Sequence, residues 1–118
     1  MDTMQALISR VSVPPKLLSD PAPRGADLDE IMAAAMSAPD HGNLSPFQFI
    51  TIEGDARAKL GDVFVEALKK RDPSADEAMI EKERNRPMRS PLIVVAVAKI
   101  DEHNEKVPAV EQAVTTGI

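Results

Sequence analysis

The side chains best suited to hold an anionic ligand lie in two short polar segments in the first half of the chain. Arg10 and Ser12 follow a stretch whose apolar residues have helical spacing. A guanidinium fork and a hydroxyl are good partners for phosphate oxygens, but an arginine at a helix end also interacts with the helix dipole. Ser37 and His41 form the second segment, where the imidazole can either donate to a ligand or cap its own loop.

The other charged residues fit a solvated surface better than a binding site. One basic run precedes the second apolar segment and contains Arg84, Arg86 and Arg89. This run could attract an anionic ligand, but the neighbouring Glu81 and Glu83 offset its charge, which favours a solvated face. His103 lies among acidic residues and is predicted to occupy a solvated loop. Glu111 is assigned no catalytic role, because exposed glutamates are common.

The composition excludes several classes of function. The 118 residues carry a net charge of −5, which argues against a general nucleic-acid binder. There is no cysteine, so disulfides, thiolate-bound zinc, iron–sulfur clusters and thiol nucleophiles are excluded, and two histidines are too few for a histidine-rich metal site. No apolar run approaches the ~20 residues of a spanning helix, so no membrane association is expected. The sequence predicts a cytoplasmic protein without a metal site.

Alternating helical and extended patterns describe the whole chain. Strands are predicted from Phe47 to Glu53 and from Leu92 to Ala98, where β-branched and apolar residues run between turn formers. Helices are predicted over residues 1–11, from Asp27 to Pro39, after Gly54–Asp55, from a Ser74/Glu77 capping box to about Asn85, and after Pro108. The proline-rich stretch from Pro14 to Gly25 is an irregular connector.

The second strand is the element that most constrains the assembly. Leu92 to Ala98 is entirely apolar, which predicts that both of its faces are covered. Two strands leave sheet edges unpaired, and unpaired edges favour pairing with another chain. We therefore expect an obligate homodimer with an isologous interface above ~1,200 Å². The segments Met1–Ile8 and Val107–Ile118 are expected to contribute to it.

Four stretches of the chain together resemble a known family. They are LISRVS, the segment from DPAP through LDEIMAAAMSAPDHGNLSPFQFITIEGDAR, RPMRSPLIVVAVAKI, and KVPAVEQ. Their order and content resemble the flavin-dependent nitroreductase family, especially its short single-domain NAD(P)H nitroreductases. The resemblance extends over essentially the whole chain, and APDHGNLSPFQF is its most specific part.

The resemblance implies an α+β, nitroreductase-like fold with a mixed or antiparallel sheet flanked by helices. Residues 1–118 would form the N-terminal portion of the family's single domain, apparently truncated at the C-terminus, because the family's chains continue with a nicotinamide-contacting segment. It further implies a homodimer with two FMN sites at the subunit interface. NAD(P)H would supply two electrons, and a small electrophilic acceptor such as a nitro or quinone-like compound would receive them.

The same resemblance carries FMN contacts onto five positions, Arg10, Val11, Ser12, Ser37 and His41, and assigns no catalytic residue. At two of them the residue type departs from the family. Val11 stands where the family has a second arginine and can offer only its backbone, and Ser37 stands where the family has an arginine. The alternative hypothesis is therefore a shortened, non-catalytic module with weak or no flavin binding.

Overall fold

The computed structural model describes all of residues 1–118. In chain order the elements are α1 (Thr3–Ser9), α2 (Ala26–Met36), β1 (Phe47–Glu53), α3 (Ala56–Arg71), α4 (Glu77–Asn85), β2 (Leu92–Ala98) and α5 (Ala109–Gly117). Single turns of 3-10 helix occur at Pro15–Leu17, His41–Asn43 and Arg86–Arg89. Five helices and an antiparallel sheet make an α+β fold, which confirms the predicted fold class. None of the helices combines the length and the apolar character that crossing a membrane requires.

The two strands pair with each other antiparallel along their full length. Phe47 lies opposite Ala98 at one end of the ladder, and Glu53 lies opposite Leu92 at the other. Both strands begin and end at the residues that the sequence predicted, because a proline precedes each apolar run and turn-forming or polar residues follow it. Helices α3 and α4 lie between the strands in the chain.

One cluster of buried residues lies at the corner where α3 meets α4 and β1. Val65 and Leu68 of α3 are 5% and 3% exposed. Pro87, in the 3-10 turn that follows α4, is also buried, and this turn contacts α3. Gly61 lies so close to the backbone of Arg84 that a Cβ atom there would overlap the Arg84 carbonyl oxygen. Helices α3 and α4 therefore approach each other backbone to backbone at Gly61.

The prediction that both faces of β2 are covered is wrong for this chain. Val94 and Val95 point to opposite faces, and they keep 42% and 36% of their surface exposed. Ile50, the partner of Val95 on β1, is 44% exposed. The cover expected from α2 is incomplete, since Ile31 on that helix is itself exposed. The reason is that α1 and α2 pack only weakly against the other elements, so the narrow sheet lacks a full layer on either side.

The start of α4 also differs from the prediction. The helix begins at Glu77, and its N-cap is Asp76, whose Oδ1 accepts a hydrogen bond from the N–H of Met79 at 2.9 Å. Ser74 instead donates its hydroxyl to Oδ1 of Asp72 at 2.6 Å. That hydroxyl and the Ser74 N–H hold the pKa of the Asp72 carboxyl below its ordinary value. Aspartate caps as well as serine does, so the residue nearer the helix replaced the predicted cap.

Candidate functional site

Helix α2 leads into the loop that carries two of the predicted contacts. Ser37 is the C-cap of α2, and its hydroxyl donates to the carbonyl of Ala34 at 2.7 Å. Pro39 keeps the preceding residue out of helical geometry, so the chain leaves the helix axis there. His41 then opens the 3-10 turn that follows. The hydroxyl oxygen of Ser37 keeps lone pairs for a further partner, although its proton is already engaged.

The loop after Asp40 has a backbone that is fixed from within. Gly42, Asn43 and Ser45 all have positive φ, at 76°, 51° and 46°. Two of these residues are not glycine, and such residues adopt left-handed geometry only where surrounding contacts impose it. One such contact is the hydrogen bond from the N–H of Ser45 to Oδ2 of Asp40, at 2.6 Å. The loop therefore presents His41 in a defined position although most of its residues are exposed.

His41 contacts a residue that lies far from it in the sequence. Its Nδ1 is 2.7 Å from Oε2 of Glu111, in the first turn of α5. The two side chains retain 65% and 48% of their surface, so the pair is accessible to a ligand in solvent. The hydrogen bond joins the loop after α2 to α5. No other side chain contacts the His41 ring through a hydrogen bond or an ion pair.

The start of α5 is held by Gln112, which is 1% exposed. Its Oε1 accepts from the N–H of Asp101 at 2.8 Å, and its Nε2 donates to the carbonyls of Asp101 and Val107, each at 2.9 Å. One turn later, the hydroxyl of Thr116 donates to the carbonyl of Pro46 at 3.1 Å. These bonds anchor α5 both to the segment before it and to the end of the His41 loop.

A cavity of about 370 Å³ opens between the His41 loop and α5. Its walls are formed by Pro39, His41, Val110, Glu111, Val114 and Thr115. The cavity combines apolar walls with one imidazole and one carboxylate. This is the usual composition of a small-molecule site, in which a few polar groups orient a ligand that is otherwise in apolar contact.

The structure does not bring Arg10, Val11 and Ser12 into this cavity. All three are exposed, and they line none of the cavities in the chain. Arg10 is the C-cap of α1, its N–H donates to the carbonyl of Ala6, and its guanidinium makes no ion pair or hydrogen bond. The assignment of these residues to a common site with Ser37 and His41 stays a prediction.

The basic run before β2 is a solvated surface, as the sequence indicated, and two of its three arginines pair with acidic side chains. Arg84 contacts Asp62 at 2.6 Å and Glu81 at 3.1 Å, and Arg86 contacts Glu83 at 3.1 Å. These ion pairs offset the positive charges of Arg84 and Arg86, which would otherwise attract an anion. Nowhere in the chain are three or more histidine, aspartate or glutamate side chains placed to share a metal ion.

Comparison with known proteins identifies the family of the chain, which the geometry alone does not. The family model described as "Nitroreductase family" matches residues 7–118. The chain belongs to the nitroreductase family. The match includes Arg10, Val11, Ser12, Ser37, His41 and Glu111, and so extends over both sides of the cavity.

Two bacterial relatives of this nitroreductase-family chain cover nearly all of it. "Putative NAD(P)H nitroreductase YdjA" of Escherichia coli (strain K12) is 40% identical over 117 residues, and "Putative NAD(P)H nitroreductase" of Haemophilus influenzae is 38% identical over 117 residues. Each alignment covers 99% of this chain and 61% of the relative. The chain thus spans about three-fifths of the length of the curated relatives it matches.

Two positions at the start of α5 make contacts that the sequence of this nitroreductase-family chain did not indicate. Glu111 was read as an ordinary exposed glutamate, and no role was given to Gln112. A signal for Gln112 did exist, since it is a polar residue next to the apolar positions of a short helix. Nothing in the sequence connects Glu111 with His41, because the two residues are joined only by the fold.

Proposed function

We propose that this chain is part of an FMN-dependent oxidoreductase that takes two electrons from NAD(P)H and delivers them to a nitro or quinone-like acceptor. The observation that carries the proposal is the family match over residues 7–118. Both relatives described above are named as NAD(P)H nitroreductases, and this supports the choice of electron donor.

The chemistry of the donor set is compatible with FMN. The guanidinium of Arg10 is free of intramolecular partners and suits a phosphate, and Ser12 and Ser37 offer hydroxyls for a ribityl chain. His41 has one ring nitrogen without a hydrogen bond, beside an apolar cavity wall. Val11 contributes only its backbone. FMN, when bound, supplies the two-electron carrier, while these residues bind and orient it.

The test is FMN binding followed by reduction. Titration of FMN into the 118-residue chain, monitored by flavin fluorescence, is expected to give saturable binding. Anaerobic addition of NADH or NADPH to the loaded 118-residue form is then expected to bleach the flavin absorbance very slowly or not at all, because the resemblance places the family's nicotinamide-contacting segment after these residues. Weak or absent FMN binding would contradict the FMN assignment and favour the alternative, a shortened, non-catalytic module, whereas rapid bleaching would show that the further segment is dispensable.

Arg10→Ala gives the residue-level form of this test. Loss of a hydrogen bond to a charged group is expected to weaken FMN binding by ~1.5–3 kcal/mol. Arg89→Ala is the matched control, because Arg89 is another exposed arginine without an ion pair but lies in the basic run before β2, outside the proposed site. Equal FMN affinity in the two variants would remove Arg10 from the proposed site.

We also propose that the chain functions as a homodimer. It exposes 8985 Å², whereas a compact chain of 12.8 kDa is expected to expose about 6,300 Å². Its radius of gyration is 17.8 Å, against about 13.5 Å for a compact chain of this length. The exposed surface includes large apolar side chains, among them Leu7, Ile8, Val110 and Ile118. A second copy with an isologous interface above ~1,200 Å² would cover part of it.

Static light scattering at micromolar concentration is expected to give the mass of a dimer. Leu7→Glu should shift the protein towards monomer, because it places a charge in the predicted contact of Met1–Ile8. Leu17→Glu is the control, since Leu17 is exposed to the same degree, 66% against 64%, but lies outside the predicted contact segments. A well-folded wild-type monomer, or equal effects of both substitutions, would refute the proposal.

A further inference from the structure

We propose that Glu111 is a positioning residue for His41: it fixes the ring through Nδ1 and reserves Nε2 for a ligand in the cavity. The identity of that ligand as FMN rests on the function proposed above, whereas the relation between the two side chains rests on their own geometry. Neither the family match nor the names of the relatives assigns any role to Glu111.

The hydrogen bond dictates which ring nitrogen is protonated. An ionised carboxylate can only accept, so the 2.7 Å contact requires that Nδ1 of His41 carries the proton and donates it to Oε2 of Glu111. In the neutral ring Nε2 is then an acceptor, suited to a hydroxyl or an imide N–H. In the protonated ring Nε2 is a donor, suited to a carbonyl or phosphate oxygen. In both charge states Glu111 holds the same edge of the ring.

Each of the two partners is held by hydrogen bonds other than the one that joins them. Glu111 lies directly before Gln112, whose side chain makes three hydrogen bonds that fix the start of α5. His41 follows Asp40, whose carboxylate fixes the loop through the N–H of Ser45. A bond between two rigid attachment points orients a ring more precisely than the same bond between flexible side chains.

Because the His41–Glu111 pair is exposed, an effect on the orientation of the ring can be distinguished from an effect on the stability of the fold. Ion pairs at this degree of exposure contribute little to the free energy of folding. Removal of Glu111 is therefore expected to leave the fold intact and to change the state of the ring. Both residues line the same cavity, so such a change would act directly on a ligand bound there.

The first measurement records the His41 tautomer in the flavin-free chain. Long-range ¹H–¹⁵N spectra at about pH 9, above the ordinary pKa of imidazole, distinguish protonation at Nδ1 from protonation at Nε2. We expect the Nδ1–H form in the wild type and a shift towards Nε2–H in Glu111→Ala. Glu111→Gln should restore part of the Nδ1–H form, because its amide oxygen still accepts. Glu53→Ala is the matched control, since Glu53 is a similarly exposed glutamate paired with Arg24 at 3.7 Å.

The second measurement is a double-mutant cycle on FMN affinity. Glu111→Ala is expected to weaken FMN binding about fivefold when His41 is present and to have no effect in a His41→Ala background. An unchanged tautomer in Glu111→Ala, or equal losses of affinity in both backgrounds, would overturn the proposal. If the chain binds no FMN, the proposed function fails, and the tautomer spectra alone still decide whether Glu111 positions His41.

Discussion

Gly61→Ala is expected to lower the free energy of unfolding by about 3 kcal/mol, at the upper end of the cost of overpacking. Alanine normally stabilises a helix relative to glycine by up to ~1 kcal/mol. A loss of stability in Gly61→Ala would therefore indicate a steric clash and not an effect of helix propensity. The reason is the contact between α3 and α4, where the new methyl group would overlap the carbonyl oxygen of Arg84. Backbone cannot rotate away as a side chain could, so the two helices must separate.

The measurement is urea denaturation monitored by circular dichroism at a fixed protein concentration. Gly117→Ala is the matched control, because Gly117 is also helical but has nothing within 4 Å of an added Cβ. That control should be neutral or slightly more stable than the wild type. If Gly61→Ala behaves like Gly117→Ala, the close approach of α3 and α4 is contradicted.

Gln112→Leu is expected to cost a similar amount, about 3 kcal/mol, for a different reason. Leucine matches the volume of glutamine but cannot form hydrogen bonds. The N–H and carbonyl of Asp101 and the carbonyl of Val107 would each lose the Gln112 partner that they have in the wild type. Groups that stay buried without a partner carry most of the penalty, so the substitution costs far more than an exposed Gln→Leu change.

Hydrogen exchange gives this prediction a local readout. The amide of Asp101 donates to Gln112 in the wild type, and its exchange should accelerate strongly in Gln112→Leu. Gln5→Leu is the control, since Gln5 is an exposed helical glutamine in α1. Unchanged protection at Asp101, together with stability equal to that of Gln5→Leu, would show that the buried amide does not hold the start of α5.

The sequence predicted those parts of the fold that depend on local patterns. β1 and β2 were located to the residue, because each is an apolar, β-branched run with a proline before it. The start of α4 was misplaced by a local ambiguity, since Ser74 and Asp76 are both good N-caps and only the chain direction after Asp72 decides between them. Burial of β2 was predicted wrongly, because it depends on how α1 and α2 pack, which no local pattern specifies.

For the candidate site too, the sequence predicted the part that depends on local patterns and missed the part that depends on a long-range contact. The turn-rich composition after Ser37 correctly indicated a loop that presents His41, and proline and glycine account for that physically. The opposite wall of the cavity comes from α5, and its contact with the loop joins Glu111 to His41 across most of the chain. Such a contact leaves no periodicity or motif in a single sequence, so the partner of His41 could be found only in three dimensions.

From the placement of α3 and α4 between the two strands, we expect a particular order of folding. The nearest pair in the sheet joins Glu53 to Leu92, and everything from Gly54 to Pro91 must be closed into a loop before that pair can form. Closure of a flexible loop of that length carries an entropic cost that the first strand contacts cannot repay. Early formation of the α3–α4 hairpin, with its close approach at Gly61, would bring the strand ends together before they pair. Gly61→Ala would then reduce the refolding rate as well as the stability, because it destabilises the α3–α4 hairpin that must form before the two strands pair.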